Sequence, residues 1–424
     1  MALGWKLSEE PFIKRFQNID QLKLRASYGV TGNPSIRPYQ SMTRLSAEQY
    51  SFGGQVAAAY YPSALGNSAL TWESTKQSDL GVDLGLLQER VSVTADYYDK
   101  RTDDLLLQIN LPTESGFSNA FVNAGTIQNK GVELGVTLQA FRPAPSSRGF
   151  AWTTTLSYAR NRNKVLDLGG VNEIFATSIN SDIKASGSLI RVGQPLGVFY
   201  GYKTAGIFRD SASLKAWKDV TAMGSGSQPG LGNTRYVDVD TNGVIDANDR
   251  TIIGDPNPKW NGGWQNTVSF RGFTLSTLLD GTFGNDVFNL NLNRLEGAGP
   301  SGNVVRERFY DAWSPENPNG KYQKIGAGAG FLSSDFTDEL IEDGSFVRLR
   351  TVTLSRAVPM GWVRGGGIDN ARVYVTGQNL HTWTKYSGFN PDVSSLCVGT
   401  TNRGIDIGAY PLARTWIFGV NLSY

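Results

Sequence analysis

The run Asp79-Leu-Gly-Val-Asp-Leu-Gly-Leu86 carries the clearest structural pattern in the chain. Every second residue in it is apolar, and the residues between them are Asp or Gly. Side chains two apart share one face of a β-strand, so this run has one apolar face and one polar or small face. The next run repeats the pattern, with an apolar set opposite a mostly polar set: Val91, Val93, Ala95 and Tyr97 against Ser92, Thr94, Asp96 and Tyr98. The two runs predict consecutive strands joined by a tight turn at Gln88-Glu89-Arg90.

The same alternation recurs along the whole chain. It predicts about ten strands, each near the ~10 residues that cross an outer membrane. They fall near 22–30, 74–88, 90–107, 131–142, 150–163, 262–271, 273–283, 345–356, 371–380 and 412–424.

The connections between these segments alternate in length. The short ones are 88–90, 142–149, 271–272 and 359–370, and the long ones are 31–73, 108–130, 164–261, 284–344 and 381–411. Transmembrane barrels have short periplasmic turns and longer extracellular loops. The pattern therefore predicts an all-β, antiparallel transmembrane β-barrel. If the C-terminus is periplasmic, every long segment comes out extracellular.

Composition excludes several classes of protein. Hydrophobic residues make up 40% of the 424 residues, the mean hydropathy is −0.28, and no run approaches the roughly 18 apolar residues of a spanning helix. The net charge is +2 without a dense basic patch, which argues against a nucleic-acid binder. The single cysteine, Cys397, and the single histidine, His381, exclude an internal disulfide and His/Cys zinc sites, and they argue against Ser-His-Asp catalysis. We therefore expect no enzyme. A glycosidase would need two carboxylates converging in a cleft, and nothing in the sequence marks such a pair.

Several runs also match sequence motifs of a known protein family. They are Trp72-Glu73, Leu80-Gly-Val-Asp83, Tyr97-Tyr-Asp-Lys100, Asn129-Lys-Gly-Val-Glu133, Gly193-Gln-Pro-Leu-Gly197, Gly254-Asp-Pro-Asn-Pro-Lys-Trp260, Ser345-Phe-Val-Arg-Leu349, Gly377-Gln-Asn-Leu380 and the ending from Tyr410-Pro-Leu-Ala-Arg-Thr415 to Tyr424. In this order, over nearly the whole chain, the sequence resembles the SusC/RagA family of TonB-dependent outer-membrane transporters.

The resemblance implies a fold, partners and a role. The fold would be a barrel of about 22 strands, of which this chain would be the C-terminal portion. An N-terminal plug would be pulled by the TonB–ExbB–ExbD system, a SusD-like surface lipoprotein would form a lid, and the barrel-assembly machinery would insert the strands. The complete proteins import glycans, oligosaccharides or peptides through the bacterial outer membrane.

The chain also departs from the family pattern. We expect the plug, the box that binds the energy-transducing partner and roughly the first half of the barrel to be missing, and the N-terminus, MALGWKLSEEPFIKRF, is no signal peptide. About ten strands cannot close the wide barrel, and an open sheet would leave edges that lipid cannot satisfy.

The sharpest local motif is a candidate calcium loop. The stretch Asp238-Val-Asp-Thr-Asn-Gly-Val-Ile-Asp-Ala-Asn-Asp249 fits the EF-hand pattern through Gly243, with Asp at positions nine and twelve. The candidate ligands are Asp238, Asp240, Asn242, the Val244 carbonyl, Asp246 and Asp249. Bound Ca²⁺ would be structural and would order the long segment 164–261. The alternative is a solvated Asp/Asn/Gly turn with the same spacing.

Aromatic residues supply the remaining candidate sites. The last strand alternates Trp416, Phe418, Val420, Leu422 and Tyr424. The resemblance implies that Trp416, Phe418 and the terminal Tyr424 signal to the barrel-assembly machinery. An ordinary aromatic girdle is the simpler explanation, and we expect both roles to hold together. Tyr60, Tyr61, Trp260 and Trp313 could stack on sugar rings of a substrate, although loop packing or lid contact is the favoured explanation.

Two functional hypotheses make opposite structural predictions. An importer places Leu80, Val82, Leu84, Val91, Val93 and Phe418 on a continuous lipid-facing belt. A surface or soluble β-sheet module that binds carbohydrate without transport would bury the same residues between two packed sheets.

Overall fold

A computed structural model describes residues 1–424 except 35, 37, 112, 118, 144–148, 176–186, 225–227, 293–302, 326–335, 360–367, 369, 394–402 and 424. Eleven antiparallel strands form one sheet in which neighbours in space are also neighbours in this list: β1 Ala2–Lys6, β2 Ile19–Asn33, β3 Glu73–Leu86, β4 Val91–Asp103, β5 Thr126–Phe141, β6 Ala151–Asp167, β7 Trp260–Phe270, β8 Phe273–Phe283, β9 Phe346–Ala357, β10 Asn370–Thr384 and β11 Thr415–Ser423. The ten predicted strands are confirmed. The eleventh, β1, was not predicted.

The pairing order of the described strands begins with β1 and ends with β11. The short connections after β1, β3, β5, β7 and β9 all lie at one end of the strands, and the long connections lie at the other end. No helix in the described part of the chain combines the length and the apolar character that crossing a bilayer requires.

One face of the large sheet is an apolar belt that the described residues leave uncovered. Leu80 is 59% exposed, Val82 37% and Phe418 78%, and Leu84, Val91 and Val93 are half-buried. The register joins these residues into rows, for example Leu22, Leu84, Val93, Val136, Leu156, Trp264 and Leu279 from β2 to β8. Among the described residues no second sheet packs on this face. This arrangement matches the belt expected of an importer and not the buried sandwich of a soluble module. We call it the outward face.

Aromatic residues border the belt at both ends. Near the long connections, Trp260 stacks on Phe283 with ring centroids 4.0 Å apart and contacts Tyr158 at 5.7 Å. Near the short connections, Phe141 contacts Phe150 and Trp152. Aromatic girdles at the two water–lipid interfaces are typical of membrane barrels.

Glycines on the opposite, inward face receive aromatic rings from neighbouring strands. A Cβ at Gly131 would lie 2.3 Å from the Tyr98 ring, and a Cβ at Gly419 would lie 2.3 Å from the Tyr374 ring. The Tyr98 hydroxyl also donates to the Asn161 side chain at 3.2 Å. The small residues in the alternating runs thus make room for rings that fasten adjacent strands.

The long connections contain their own secondary structure. Two hairpins pair Arg44–Phe52 with Gln55–Ala64 and Leu106–Asn110 with Asn119–Asn123. A four-stranded sheet contains Glu173–Phe175, Ser188–Arg191, Val198–Gly201 and Thr251–Gly254, and a three-stranded sheet contains Ile341–Asp343, Asp286–Asn289 and Ile405–Asp406. Two further pairs join Thr204–Ile207 to Thr234–Tyr236 and, in parallel, Ala222–Met223 to Val244–Ile245. Described helices in the long connections include Ser211–Lys218 and Arg306–Tyr310, with 3₁₀ turns at Thr113–Ser115, Ala247–Asp249 and Asp338–Leu340. The short connection after β1 contains the 3₁₀ turn Leu7–Glu9 and the helical turn Pro11–Lys14.

Three of these connections fold together over one buried core. We call the described parts of 168–259, 284–345 and 385–414 the cap. Its core joins Phe199 from the first segment, Phe288 and Phe336 from the second, and Ile405 from the third, all at most 2% exposed. The Phe288 ring lies 5.7 Å from Phe199 and 4.6 Å from Phe336. The long connections therefore form a structured unit.

Candidate functional site

Charged side chains form a fixed cluster on the inward face of β2, β3 and β4. The Arg25 guanidinium donates to both carboxylate oxygens of Asp83 at 2.9 Å and contacts Asp96 at 2.8 Å. Each of the three side chains is about one-quarter to one-third exposed. Because one cation lies between two carboxylates, the cluster keeps a net negative charge and presents oriented acceptors to the inward side.

Gly81 makes this cluster possible. It lies opposite both Arg25 and Asp96 in the sheet, and a Cβ there would come 2.3 Å from an Asp96 oxygen and 2.7 Å from the Arg25 guanidinium carbon. A shallow cavity of about 280 Å³ borders the cluster, lined by residues that include Lys23, Ser27 and Asp79. Acidic and basic side chains thus lie side by side on this part of the inward face.

Two motifs that carried the family resemblance meet where the sheet joins the cap. The Asn257 amide of Gly254–Trp260 donates to the Leu196 carbonyl of Gly193–Gly197 at 3.0 Å and to the Asp255 carboxylate at 2.8 Å. The Leu196 backbone amide in turn donates to Asn163, on β6, at 2.8 Å. These contacts fasten the cap to the loop-side end of β6.

A buried arginine fastens another part of the cap to β9. Arg348 is 3% exposed and lies over the Phe346 ring at 4.7 Å. Its guanidinium donates to Asn390 at 2.9 Å and to Thr382 at 3.2 Å, and lies 3.8 Å from Asp392. A buried guanidinium requires such partners, so this residue holds the segment 385–392 against the sheet.

Inside the cap, the Tyr386 hydroxyl donates to the Asp406 carboxylate at 2.6 Å. Asp406 is 2% exposed, and its other oxygen accepts from the backbone amides of Gly408 and Ala409 at 3.0 and 2.8 Å. Burial, reinforced by the hydrogen bond to Asp406, raises the pKa of Tyr386 well above its usual range. The phenol therefore stays protonated and acts as a structural donor.

The candidate calcium loop brings three of its carboxylates together. One oxygen from each of Asp238, Asp240 and Asp249 lies within 4.8 Å of the others, and the chain turns through Gly243 with a φ of +83°. The Asp238 Oδ1 atom is buried, with no hydrogen-bond partner among the described residues. These features fit a cation held by positions one, three and twelve of the loop.

The other predicted ligands make hydrogen bonds within the loop. The Asn242 side-chain oxygen accepts from the Val244 amide, and Asp246 accepts from the Asn248 amide as an N-cap, both at 2.7 Å. Asp249 is fully buried and accepts from the amides of Val239 and Asp246 at 2.7 and 2.8 Å. Hydrogen bonds within the loop thus hold its conformation. The same loop keeps three carboxylates close enough together to bind a cation.

The four aromatic candidates for substrate stacking do not converge. Tyr60 and Tyr61 are 72% and 46% exposed, but as successive residues of one strand they lie on opposite faces of the hairpin. Trp260 belongs to the outward girdle. Trp313 donates from its indole nitrogen to the Arg209 carbonyl at 3.2 Å and packs within the cap.

The candidate assembly signal lies on the outward face of β11, the last strand of the sheet. Trp416 and Phe418 are 61% and 78% exposed, and Phe418 lies opposite Val375 of β10. Tyr424 lies outside the described residues, as does Cys397. His381 contacts the Trp383 ring with centroids 4.6 Å apart.

Sequence reasoning missed the contacts that join strands to one another and to the cap. Arg25, Asp83 and Asp96 each occupy the polar position of an alternating run, so alternation together with strand register could have identified their cluster. Arg348 and Tyr386 had no such signal, because Asn390, Asp392 and Asp406 lie outside the large sheet, where its strand register does not relate them to a partner.

Comparisons with known proteins agree with this geometry. Residues 3–293 match the family model described as TonB dependent receptor-like, beta-barrel. TonB-dependent receptor P3 of Formosa agariphila is 32% identical over 429 residues, covering 100% of this chain and 41% of the relative. TonB-dependent receptor SusC of Bacteroides thetaiotaomicron is 27% identical over 444 residues, covering 100% and 40%. The RagAB peptide importer in its closed-closed state superimposes with a TM-score of 0.79 at 25% identity, covering 100% and 43%. The chain spans about two-fifths of the length of these curated relatives.

Proposed function

The chain belongs to the TonB-dependent receptor-like β-barrel family, and from that membership we propose that it forms part of the wall and outer mouth of a nutrient importer. Proteins of this family lie in the outer membrane. The observation that carries the proposal is one sheet with an uncovered apolar face and a polar inward face. Such a sheet separates lipid from a hydrophilic passage.

The mechanism proposed for the passage is binding and gated movement without covalent chemistry. The inward wall offers carboxylates, a guanidinium, hydroxyls and amides, which suit a hydrophilic cargo such as an oligosaccharide or a peptide. The matched relatives are named as receptors, and one solved relative is named as a peptide importer. In the family to which the chain belongs, a TonB–ExbB–ExbD system would supply the energy.

Orientation and partners follow from the same proposal. The cap and both hairpins would be extracellular, and a SusD-like surface lipoprotein would cover them. The hairpin 44–64 supports such a contact, because Tyr50, Phe52 and Tyr60 are 63%, 76% and 72% exposed there. Trp416, Phe418 and Tyr424 would be the residues read by the barrel-assembly machinery.

The test of transport is an uptake assay with the full-length protein. Cells that carry or lack its gene are given labelled oligosaccharide and peptide pools, with and without a protonophore. We expect one pool to enter only when the gene is present and the proton gradient is intact. Equal uptake by both strains would contradict the proposal. Binding that survives the protonophore, without any internalised label, would favour a binding module.

The loop 238–249 is proposed to bind a structural Ca²⁺ ion through Asp238, Asp240 and Asp249, with Asn242, the Val244 carbonyl and Asp246 able to join on rearrangement. Its support is the buried, unpartnered Asp238 oxygen beside two further carboxylates. Calorimetry should detect Ca²⁺ binding to the full-length protein that is lost in Asp238→Asn and kept in Asp219→Asn, an exposed acidic control outside the loop. Identical Ca²⁺ affinity in the two variants would contradict this assignment.

A further inference from the structure

Basic residues cluster on the outward face just beyond the loop-side girdle. The belt ends there with Tyr97 and Val132, which are 44% and 46% exposed, and with Tyr158. Beyond it, six outward positions of β3 to β6 are Lys or Arg. We call this set the basic patch: Lys76, Arg101, Lys130, Arg160, Arg162 and Lys164, with Asp99 and Asp103 among them.

The strand register brings these side chains together. Arg160 lies opposite Val132, Arg162 opposite Lys130, and Lys164 opposite Gln128. On the next strand, Lys130 lies opposite Asp99 and Gln128 opposite Arg101. All are outward positions, because they share the parity of the apolar belt residues on the same strands.

The positive charge of the basic patch is only partly neutralised. Asp103 accepts from Lys76 at 3.0 Å and from Arg101 at 2.8 Å, and Asp99 pairs with Lys130 at 3.1 Å. In the described part of the chain, no carboxylate forms an ion pair with Arg160, Arg162 or Lys164. These three side chains are exposed and extend about 13 Å along β6, at roughly 3.3 Å per residue.

The position of the patch indicates what could neutralise it. A residue immediately beyond the aromatic girdle, on the lipid-facing side, lies among lipid headgroups. Arg and Lys at that level interact favourably with anionic headgroups, and guanidinium groups form paired hydrogen bonds with phosphate oxygens. We propose that Arg160, Arg162 and Lys164 bind the phosphates of an anionic, multiply phosphorylated glycolipid in the outer leaflet.

This inference rests on the proposed orientation, in which the cap is extracellular. It goes beyond transport because the site faces away from the passage and takes a lipid as its ligand. Two phosphates on one headgroup suit the patch better than one, since its three unpaired cations lie along a single strand.

The test is native mass spectrometry of the full-length protein in non-ionic detergent, titrated with diphosphoryl lipid A. The triple variant Arg160→Gln, Arg162→Gln, Lys164→Gln should bind on the order of 100-fold more weakly, because each basic side chain near an anionic lipid surface contributes about fivefold. Arg162→Gln alone should lose about fivefold. The matched control, Arg209→Gln, Lys215→Gln, Lys218→Gln, removes the same charge from exposed positions of the cap and should bind as the wild type does.

Several outcomes would overturn the proposal. They are unchanged affinity in the triple variant, an equal loss in the control, equally tight binding of phosphatidylethanolamine, and full displacement by an equimolar amount of inorganic phosphate. Uptake is measured in the same variants, so the two proposals can fail separately. Uptake retained by a triple variant that has lost the glycolipid supports the lipid site. A wild type that binds the glycolipid but imports nothing contradicts only the transport proposal.

Discussion

Two aspartates that lie opposite each other in the cap show how position alone reverses an electrostatic effect. Asp286 pairs with Asp343 across the three-stranded sheet. Burial raises the pKa of Asp286, although the Asp255 amide that donates to it at 2.8 Å acts in the opposite direction. Hydrogen bonds from the Ser345 hydroxyl and amide lower the pKa of Asp343. The same residue type is thus disfavoured as an anion at one position and favoured at the other.

The pH dependence of the cap's stability follows from these directions. Ionised Asp286 opposes folding as the pH rises from its unfolded pKa, about 3.9, through its higher folded pKa. Asp286→Asn should therefore stabilise the cap at pH 7 and lose that advantage below about pH 4. Ionised Asp343 stabilises the cap above its unfolded pKa, and this contribution disappears as the pH falls through the lower folded pKa. Asp343→Asn should therefore destabilise the cap at pH 7.

The measurement is thermal unfolding of the two variants and the wild type at several pH values between 3 and 7. Each variant serves as the control for the other, because both replace one carboxylate by an amide in the same sheet. A shift of the midpoint in the same direction for both at pH 7 would contradict the assignment.

At the scale of elements, alternation in the sequence was sufficient for the large sheet. Ten runs had apolar residues on every second position, and each became a strand whose apolar side is uncovered. The missed strand, β1, has only Leu3 and Trp5 as alternating apolar residues, and its five residues are too few to establish a period. β1 was therefore missed because it is short, and not because the alternation of apolar and polar residues fails as a signal for strands.

Adjacent residues on β5 test the two faces of the sheet. Leu134 lies in the outward belt and is 40% exposed, whereas Gly135 faces inward with open space around a would-be Cβ. Leu134→Lys should destabilise the protein in lipid vesicles by about 2–4 kcal/mol, because a charge near the bilayer midplane loses hydration. Gly135→Lys adds the same charge one residue away and should be tolerated. Urea unfolding of the full-length protein measures both, and equal losses would argue against the assigned faces.

At the scale of the whole molecule, the cap was the part that sequence reasoning could not predict. Its buried residues, among them Phe199, Phe288 and Ile405, come from three segments rich in Gly, Asn, Ser and Asp. They are far apart in sequence and follow no period, so nothing local marks them as a core. The candidate calcium loop was recognisable because its candidate ligands are close together in the sequence, whereas the hydrogen-bond partners of the Arg348 and Tyr386 side chains lie at least 20 residues away from them.

The shared core predicts that a single truncation loosens all three segments. Phe288→Ala removes a fully buried ring that touches Phe199 and Phe336, and should destabilise the cap by roughly 3–5 kcal/mol. Hydrogen exchange should then accelerate together in 198–201, 286–289 and 405–409, while the amides of β2 to β6 stay protected. Phe418→Ala, on the outward face, is the control and should leave the cap unchanged. Faster exchange confined to 286–289 would mean that the segments are independent.

The common core of the cap also constrains how a new cargo preference can arise. In a chimaera that receives one connection from a relative, each core contact of that connection would join a residue of the relative to a residue of this chain, and the two would not be matched in shape. Exchange of 168–259, 284–345 and 385–414 as a set keeps the contacts among Phe199, Phe288, Phe336 and Ile405 within one lineage. Recombination between relatives should therefore yield working hybrids when breakpoints fall in the strands of the large sheet and all three segments travel together.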